Sequence, residues 1–340
     1  MENILLLLHS TPEGELSKLS LESVTAAAEL AGQLEGAQVT VGLIGKEVQA
    51  AADQIAGCGA QRFLGVSGDE FETSRYSSDT AALEALVKAA EPTLVLAPAT
   101  SRISRSLPGV AQRAGGRIDT HISSISVADG APQVQRWFYR QRMVATLTRV
   151  QRPWFLIIES GICDPASAES AAASVEDIQV ELAAQRTQVV GTEAAVGGTQ
   201  TVRPDADLLF VAGAGWTKNQ ADGQPHVKDA EQAIGDFLEK SQASLGSSKS
   251  LVDQAGEGQD VISFMSHVNQ VGQTGTTPRH PKGLATCCHG EEPHVVGWRF
   301  INERRAVNLD EGCGWAQGKA DVLYVADAFE VMKKVNELLG

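Results

Sequence analysis

Four stretches of the chain hold residue types and spacings that could do chemistry. "GLATCCHGEEPHVVGW", Gly283–Trp298, sets Cys287 and Cys288 beside His289, with His294 five residues on. Thiolate and imidazole bind soft metal ions, but adjacent cysteines rarely chelate one tetrahedral ion, so a zinc or iron–sulfur centre is the secondary reading. "AGAG", Ala212–Gly215, follows an apolar run. Glycines there let backbone N–H groups approach a phosphate, although the pattern is neither G-x-G-x-x-G nor a P-loop. "SSKS", Ser247–Ser250, flanks one cation with hydroxyls and suits an anion or an electron-rich ring. "NQVGQTGTTP", Asn269–Pro278, brackets Gln273 and Thr274 between Gly272 and Gly275, giving a tight loop with side-chain donors. No Ser/His/Asp arrangement and no paired acid/base carboxylates can be assembled from spacing, so no catalytic residue is assigned.

Alternating strands and helices must position these stretches. Asn3–His9 is a continuous apolar run, as expected of a strand buried on both faces. Gln38–Gly45, Arg62–Val66 and Thr93–Ala99 repeat the theme, with Ala- and Leu-rich helical segments between them. A short helix is expected to start near Ser106, with Pro108 in its first turn. Four strands then arrive without helices: "HISSISVA", "QVQRWFYR", "MVATLTRV" and "WFLIIES", with "YRQR" as a turn, predicting an antiparallel addition to a parallel sheet. From Gly161 to about Pro204 small residues dominate without a period, which predicts a connecting arm along the surface. The βα pattern restarts at Ala206–Gly215, followed by a helix through "VKDAEQAIGDFLEKSQASLG", short strands at "GLATC", "VVGWRF", "RAVNL" and "DVLYVAD", and a closing helix. The expected fold class is α/β: two Rossmann-like or flavodoxin-like domains with mostly parallel sheets, antiparallel strands being added to the first. The expected domains are 1–196, including the arm over about 161–196, and 197–340.

Composition narrows the functional class. The 340 residues are 43% hydrophobic and 21% charged, an ordinary globular balance. A net charge of −14 argues against nucleic acid and anionic membranes as partners. The five cysteines, at 58, 163, 287, 288 and 313, make no secreted disulfide framework. No apolar run approaches the ~20 residues of a membrane span, and "MENILLLLHS" lacks the basic start of a signal peptide, so a cytoplasmic location is expected. Cys58 reads as a helix-end filler and Cys163 as a linker residue, not as nucleophiles. Trp137, Phe138, Tyr139 and Trp154 read as strand packing or a subunit contact.

Taken in order, "SKSLVD" (Ser248–Asp253), "QVGQTG" (Gln270–Gly275), "AVNLD" (Ala306–Asp310) and "ADVL" (Ala320–Leu323) resemble the C-terminal half of the electron transfer flavoprotein alpha subunit family. "LVLAPATSRISRSLPGVAQRAGGRIDTHIS" and "TVRP" resemble its first domain and inter-domain arm, so the likeness covers most of the chain. The resemblance implies FAD in the second domain. Ser248 and Lys249 match residues near the flavin. Val271, Gly272, Gln273 and Thr274 match the loop around the ring and ribityl chain. Asn308 and Asp321 match residues holding the ADP half. Gly290 and His294 can be set against a flavin-contacting loop, which makes the Cys/His stretch a remodelled form of that loop. A cation near the flavin would stabilise anionic reduced forms, Gly-loop N–H groups could bond the ring edge, and a carboxylate could accept from ribose hydroxyls. Lys249 stands for the family's Arg, and the Arg of its Gly-rich turn has no counterpart in "AGAG". The implied function is an FAD-mediated electron carrier without its own substrate transformation. It would pair with an electron transfer flavoprotein beta subunit, accept from a flavoprotein dehydrogenase and deliver to a quinone-linked acceptor. A flavin-poor structural subunit and a Cys/His metal-containing redox protein are the alternatives.

Overall fold

The computed structural model describes residues 1–138, 143–167, 171–184, 186–191, 202–203, 206–254, 261–272, 276, 278–286, 298, 301–310 and 320–340. It divides into two compact units, Met1–Thr192 and Glu193–Gly340. The expected boundary near Gly197 and the "YRQR" turn lie outside the described residues.

The first unit contains β1 (Asn3–His9), α1 (Lys18–Gln33), β2 (Gln38–Gly45), α2 (Gln49–Gln54), β3 (Arg62–Ser67), α3 (Tyr76–Ala90), β4 (Leu94–Pro98) and α4 (Ser101–Arg113). Then come β5 (Arg117–Ala128), β6 (Ala131–Phe138), β7 (Met143–Leu147), β8 (Trp154–Ile158) and β9 (Val175–Asp177). The strand order is β7-β6-β5-β8-β4-β1-β2-β3-β9. Only β6 pairs antiparallel, to β5 on one side and β7 on the other, so the antiparallel wing sits on one end of a parallel sheet. β1 is central, and its residues explain why: Ile4, Leu6 and Leu8 pack with α1, while Leu5 and Leu7 pack with α3 and α4. A strand apolar on both sides has no solvent face to offer.

Two expectations change here. α4 begins at Ser101, not near Ser106, because Thr100 caps it by accepting from Ile103 N–H at 3.3 Å. Pro108 therefore lies inside the helix. Early in α4, buried Arg102 donates from Nε and Nη2 to Oδ1 of buried Asp79 on α3, at 3.0 and 2.7 Å. The surface arm, for its part, contributes β9, which pairs with β3, and Ile178, Val180 and Leu182 pack on the α3/α4 face. Three ladder residues are too few to show a period.

The second unit contains β10 (Leu208–Ala212), α5 (Val227–Ser241), β11 (Ser244–Ser247), α6 (Lys249–Asp253), β12 (Lys282–Thr286), β13 (Glu303–Asn308), β14 (Val322–Val325) and α7 (Ala328–Leu338). All pairings are parallel, in the order β11-β10-β12-β13-β14. The chain leaves α5 through left-handed Gln242 (φ 54°), so Ser244–Ser247 is a strand and not the continuation of the helix expected from its composition. α5 and α7 cover one face through Ile234, Phe237, Leu238 and Met332. Val271, Trp298 and Ile301 cover the other. The expected strand "VVGWRF" lies outside the described residues except for Trp298. No helix among the described residues is long and apolar enough to cross a membrane.

Candidate functional site

In sequence terms the strands of the second unit run 2-1-3-4-5. The chain goes outward from β10 to β11, then returns to β12 and builds in the other direction. Open α/β sheets of this order bind ligands outside the carboxyl ends of the strands, at the point of reversal. The strand ends Ala212, Ser247, Thr286, Asn308 and Val325, with the turns leaving them, form that edge. Across the reversal, Gly213 N–H donates to Thr286 O at 2.8 Å and the buried Trp216 Nε1–H donates to Thr286 Oγ1 at 2.8 Å. The turn after β10 is thereby fastened to the end of β12.

At the β11 corner, Ser248 is wholly buried and caps α6, its Oγ accepting from Leu251 N–H at 3.1 Å. The Oγ of neighbouring Ser247 is also buried, with no hydrogen-bond partner among the described residues. Lys249 opens α6, half exposed, and its Nζ pairs with Asp253 Oδ2. Val271 packs on the sheet with Leu209 and Val211. It can do so because Gly246 has no side chain: a Cβ there would lie 2.6 Å from Val271 Cγ2. Gly272 turns the chain at φ 80°, a conformation that favours glycine. Its N–H donates to Thr276 O and Thr276 N–H donates to Gln270 O, both at 2.8 Å, fixing the two ends of the turn. Val271 N–H donates to Ser247 O at 3.0 Å. The N–H groups of Val271 and Gly272 are thus used inside the protein. What these two residues offer a ligand is shape and carbonyl oxygen, not the donors expected from the sequence.

At the other end, Asn308 closes β13 with its side chain buried, and its carbonyl accepts from Ala326 N–H at 3.0 Å. Asp327 caps α7, its Oδ1 accepting from Phe329 N–H at 2.8 Å and Glu330 N–H at 3.3 Å. A small hollow is lined by Gly215, Gln220, Asn308, Asp327 and Phe329.

The structure brings Ser248, Lys249, Val271, Gly272 and Asn308 to this edge. It does not bring Asp321, which precedes β14 at the amino end of the sheet. There its Oδ1 accepts from Arg304 Nη2 at 2.8 Å and its Oδ2 from Arg304 N–H at 2.7 Å. The bond from the Arg304 side chain, then that from its backbone, holds the carboxyl below the usual carboxylate range. Six residues of extended chain, on the order of 20 Å, separate Asp321 from Asp327. "ADVLYVAD" carries Ala-Asp at both ends, and the expectation from sequence falls on the first. The signal for the second is its place as an N-cap before a helix. Gln273, Thr274, Gly290 and His294, with Cys287, Cys288 and His289, lie outside the described residues.

A larger groove runs between α5 and α7, lined by Asp229, Asp236, Lys240, Glu330 and Lys333 among others. It is an open crevice between two helices on the flank of the sheet, walled mostly by long charged side chains, with buried Asn336 at its floor, and it lacks the glycine turns of the carboxyl edge.

Comparison with known proteins places the fold in context. The family described as "Electron transfer flavoprotein domain" matches residues 4–183. An "Electron transfer flavoprotein subunit alpha" of Syntrophomonas wolfei is 24% identical over 320 residues, covering 94% of each chain. A "Protein FixB" of Clostridium saccharobutylicum is 25% identical over 325 residues, covering 93% of this chain and 88% of that one. The "Electron transfer flavoprotein subunit alpha" of Bacillus subtilis is 22% identical over 333 residues, covering 96% and 94%.

Proposed function

The chain belongs to the electron transfer flavoprotein domain family, and from that membership we propose that it is an alpha-type subunit carrying one FAD along the carboxyl edge of its second unit. It pairs with a beta-type subunit in the cytoplasm, accepts electrons from a flavoprotein dehydrogenase and passes them to a quinone-linked acceptor. When bound, FAD supplies the redox chemistry through its isoalloxazine ring.

The observation that carries this reading is the joined edge. It has a buried hydroxyl, unpartnered among the described residues, and a cation at the β11 corner, and a buried amide and a capping carboxylate at the β13/β14 end. Four inter-strand spacings separate β11 from β14, roughly 19 Å. The extended form of a dinucleotide suits such a span. Ser248 and Lys249 serve the flavin end, and by the family resemblance Gln273 and Thr274 serve it too. Asn308 and Asp327 hold the nucleotide end, where Asp327 accepts from ribose hydroxyls. By the same resemblance Gly290 and His294 contribute to the flavin contact. The protein's work is to grip, orient and bias the flavin's charge, and Lys249 favours the reduced, more negative form.

The test is the visible spectrum and redox titration of the chain co-purified with its beta-type partner. One FAD per heterodimer is expected. Lys249→Ala should lower the flavin midpoint potential by about 60 mV, a tenfold change for a one-electron step. A purified heterodimer without flavin absorbance removes the reading.

A further inference from the structure

α6 has five residues, Lys249 to Asp253. So short a helix cannot hold itself in place by its own hydrogen bonds. Its start is fixed by the buried Ser248 cap. Its end is fixed by Asp253, whose two oxygens face different ways: Oδ2 pairs with Lys249 Nζ one turn back, and Oδ1 accepts from His267 Nε2 at 2.8 Å. His267 lies in the turn that leads, four residues on, to Val271 and Gly272. One carboxylate therefore ties the cation-bearing helix to the glycine turn. Nε2 must carry a hydrogen to face a carboxylate, so the bond stands whether or not the ring is charged.

We propose that Asp253 is a positioning residue for the flavin, holding the Lys249 ammonium in place with His267 as its anchor to the glycine turn. The proposal rests on the reading that this edge carries FAD. Lys249 needs such a hold. Its side chain is 42% exposed, and an ammonium on a flexible four-carbon stem otherwise turns toward water. The bonds from Lys249 and then His267 keep the Asp253 carboxyl below the ordinary carboxylate range, so it remains an acceptor throughout the neutral range. The carboxylate also opposes negative charge on the flavin. If Asp253 acts through Lys249, its removal has opposite effects with and without that lysine.

The experiment is a double-mutant cycle read by the flavin midpoint potential of the purified heterodimer. Asp253→Asn is expected to lower the potential by the equivalent of about tenfold in the reduction equilibrium, 59 mV for one electron, as Lys249 is released to solvent. Asp253→Glu should restore most of it. In the Lys249→Ala background the same Asp253→Asn change should raise the potential, because only the opposing charge is removed. His267→Ala should give a smaller fall in the native background and none with Lys249→Ala. Shifts of one sign in both backgrounds, or no shift in either, overturn the proposal. His267→Ala without effect in the native background removes the anchor and overturns it as well, including where Asp253→Asn fails to fold. A heterodimer that holds no FAD yields no potential at all, and marks failure of the underlying reading.

Discussion

At the residue scale a heavily used group is Asp119 on β5. Its side chain is 1% exposed and collects Arg136 Nη1 at 2.9 Å, Arg149 Nε at 2.5 Å and Trp154 Nε1 at 2.9 Å. Burial pushes its pKa up, but the bonds from Arg149, Trp154 and Arg136 outweigh that and hold the carboxyl below its ordinary value. A depressed folded pKa contributes stability that is fully present above the unfolded value, about 3.9, and is lost as pH falls through the folded value. Denaturant unfolding of the first unit should therefore be flat with respect to this group from pH 7 to about 5 and weaken below about 4. Asp119→Ala should cost about 2–4 kcal/mol at neutral pH, because it strands a buried indole N–H and two partly solvated guanidinium groups, and should remove that part of the acid dependence. No sequence pattern marks Asp119 among 42 acidic residues, since its three partners lie 17, 30 and 35 positions away. Ser248 and Lys249, by contrast, are legible from a local motif. Asp327 is hidden behind an identical dipeptide, and only the length of β14 separates the two.

At the element scale β1 and β2 are legible to the residue, because an apolar run bounded by polar ends has few alternatives in a parallel sheet. β11 is not. "SLGS" has one large apolar side chain, and its helix-compatible neighbours mask the left-handed exit at Gln242. α4 is longer than its sequence suggests because Pro108 serves more often as a start signal than as an interior residue. The cost of a bare strand is also its use, for Gly246 admits Val271 to the sheet. Gly246→Ala should therefore push the Val271–Gly272 turn outward. Overpacking of this kind costs about 1–3 kcal/mol, and flavin retained through gel filtration should fall while the far-UV circular dichroism of the chain stays unchanged.

At the scale of the whole molecule, each unit has its own two-faced core, which is the requirement for separate unfolding. Calorimetry of the heterodimer with and without FAD should raise only the transition of the second unit. At a hundredfold excess over Kd the gain is about 2.7 kcal/mol, or roughly 5–10 °C for a unit of this size. A shift of the first unit's transition alone would place the cofactor elsewhere. The α/β class and the antiparallel wing are legible because strand–helix alternation stops where "HISSISVA" begins. The strand order 2-1-3-4-5 is not, since nothing local tells a strand on which side of its predecessor to lie.

The main-chain N–H groups of Gly213, Ser248, Val271 and Gly272 are all spent on carbonyls of the protein itself, three of them at strand ends. A stray phosphate arriving at any of these four finds no vacant donor to reward it. Among the described residues, the charged side chains a guest could engage sit at opposite ends of the row, the Lys249 ammonium at one and the Asp327 carboxylate at the other. A short anion collects too few of them to stay, whereas a ligand that spans the row collects both sets. If the edge holds the proposed cofactor, it selects its guest by reach before it selects by chemistry.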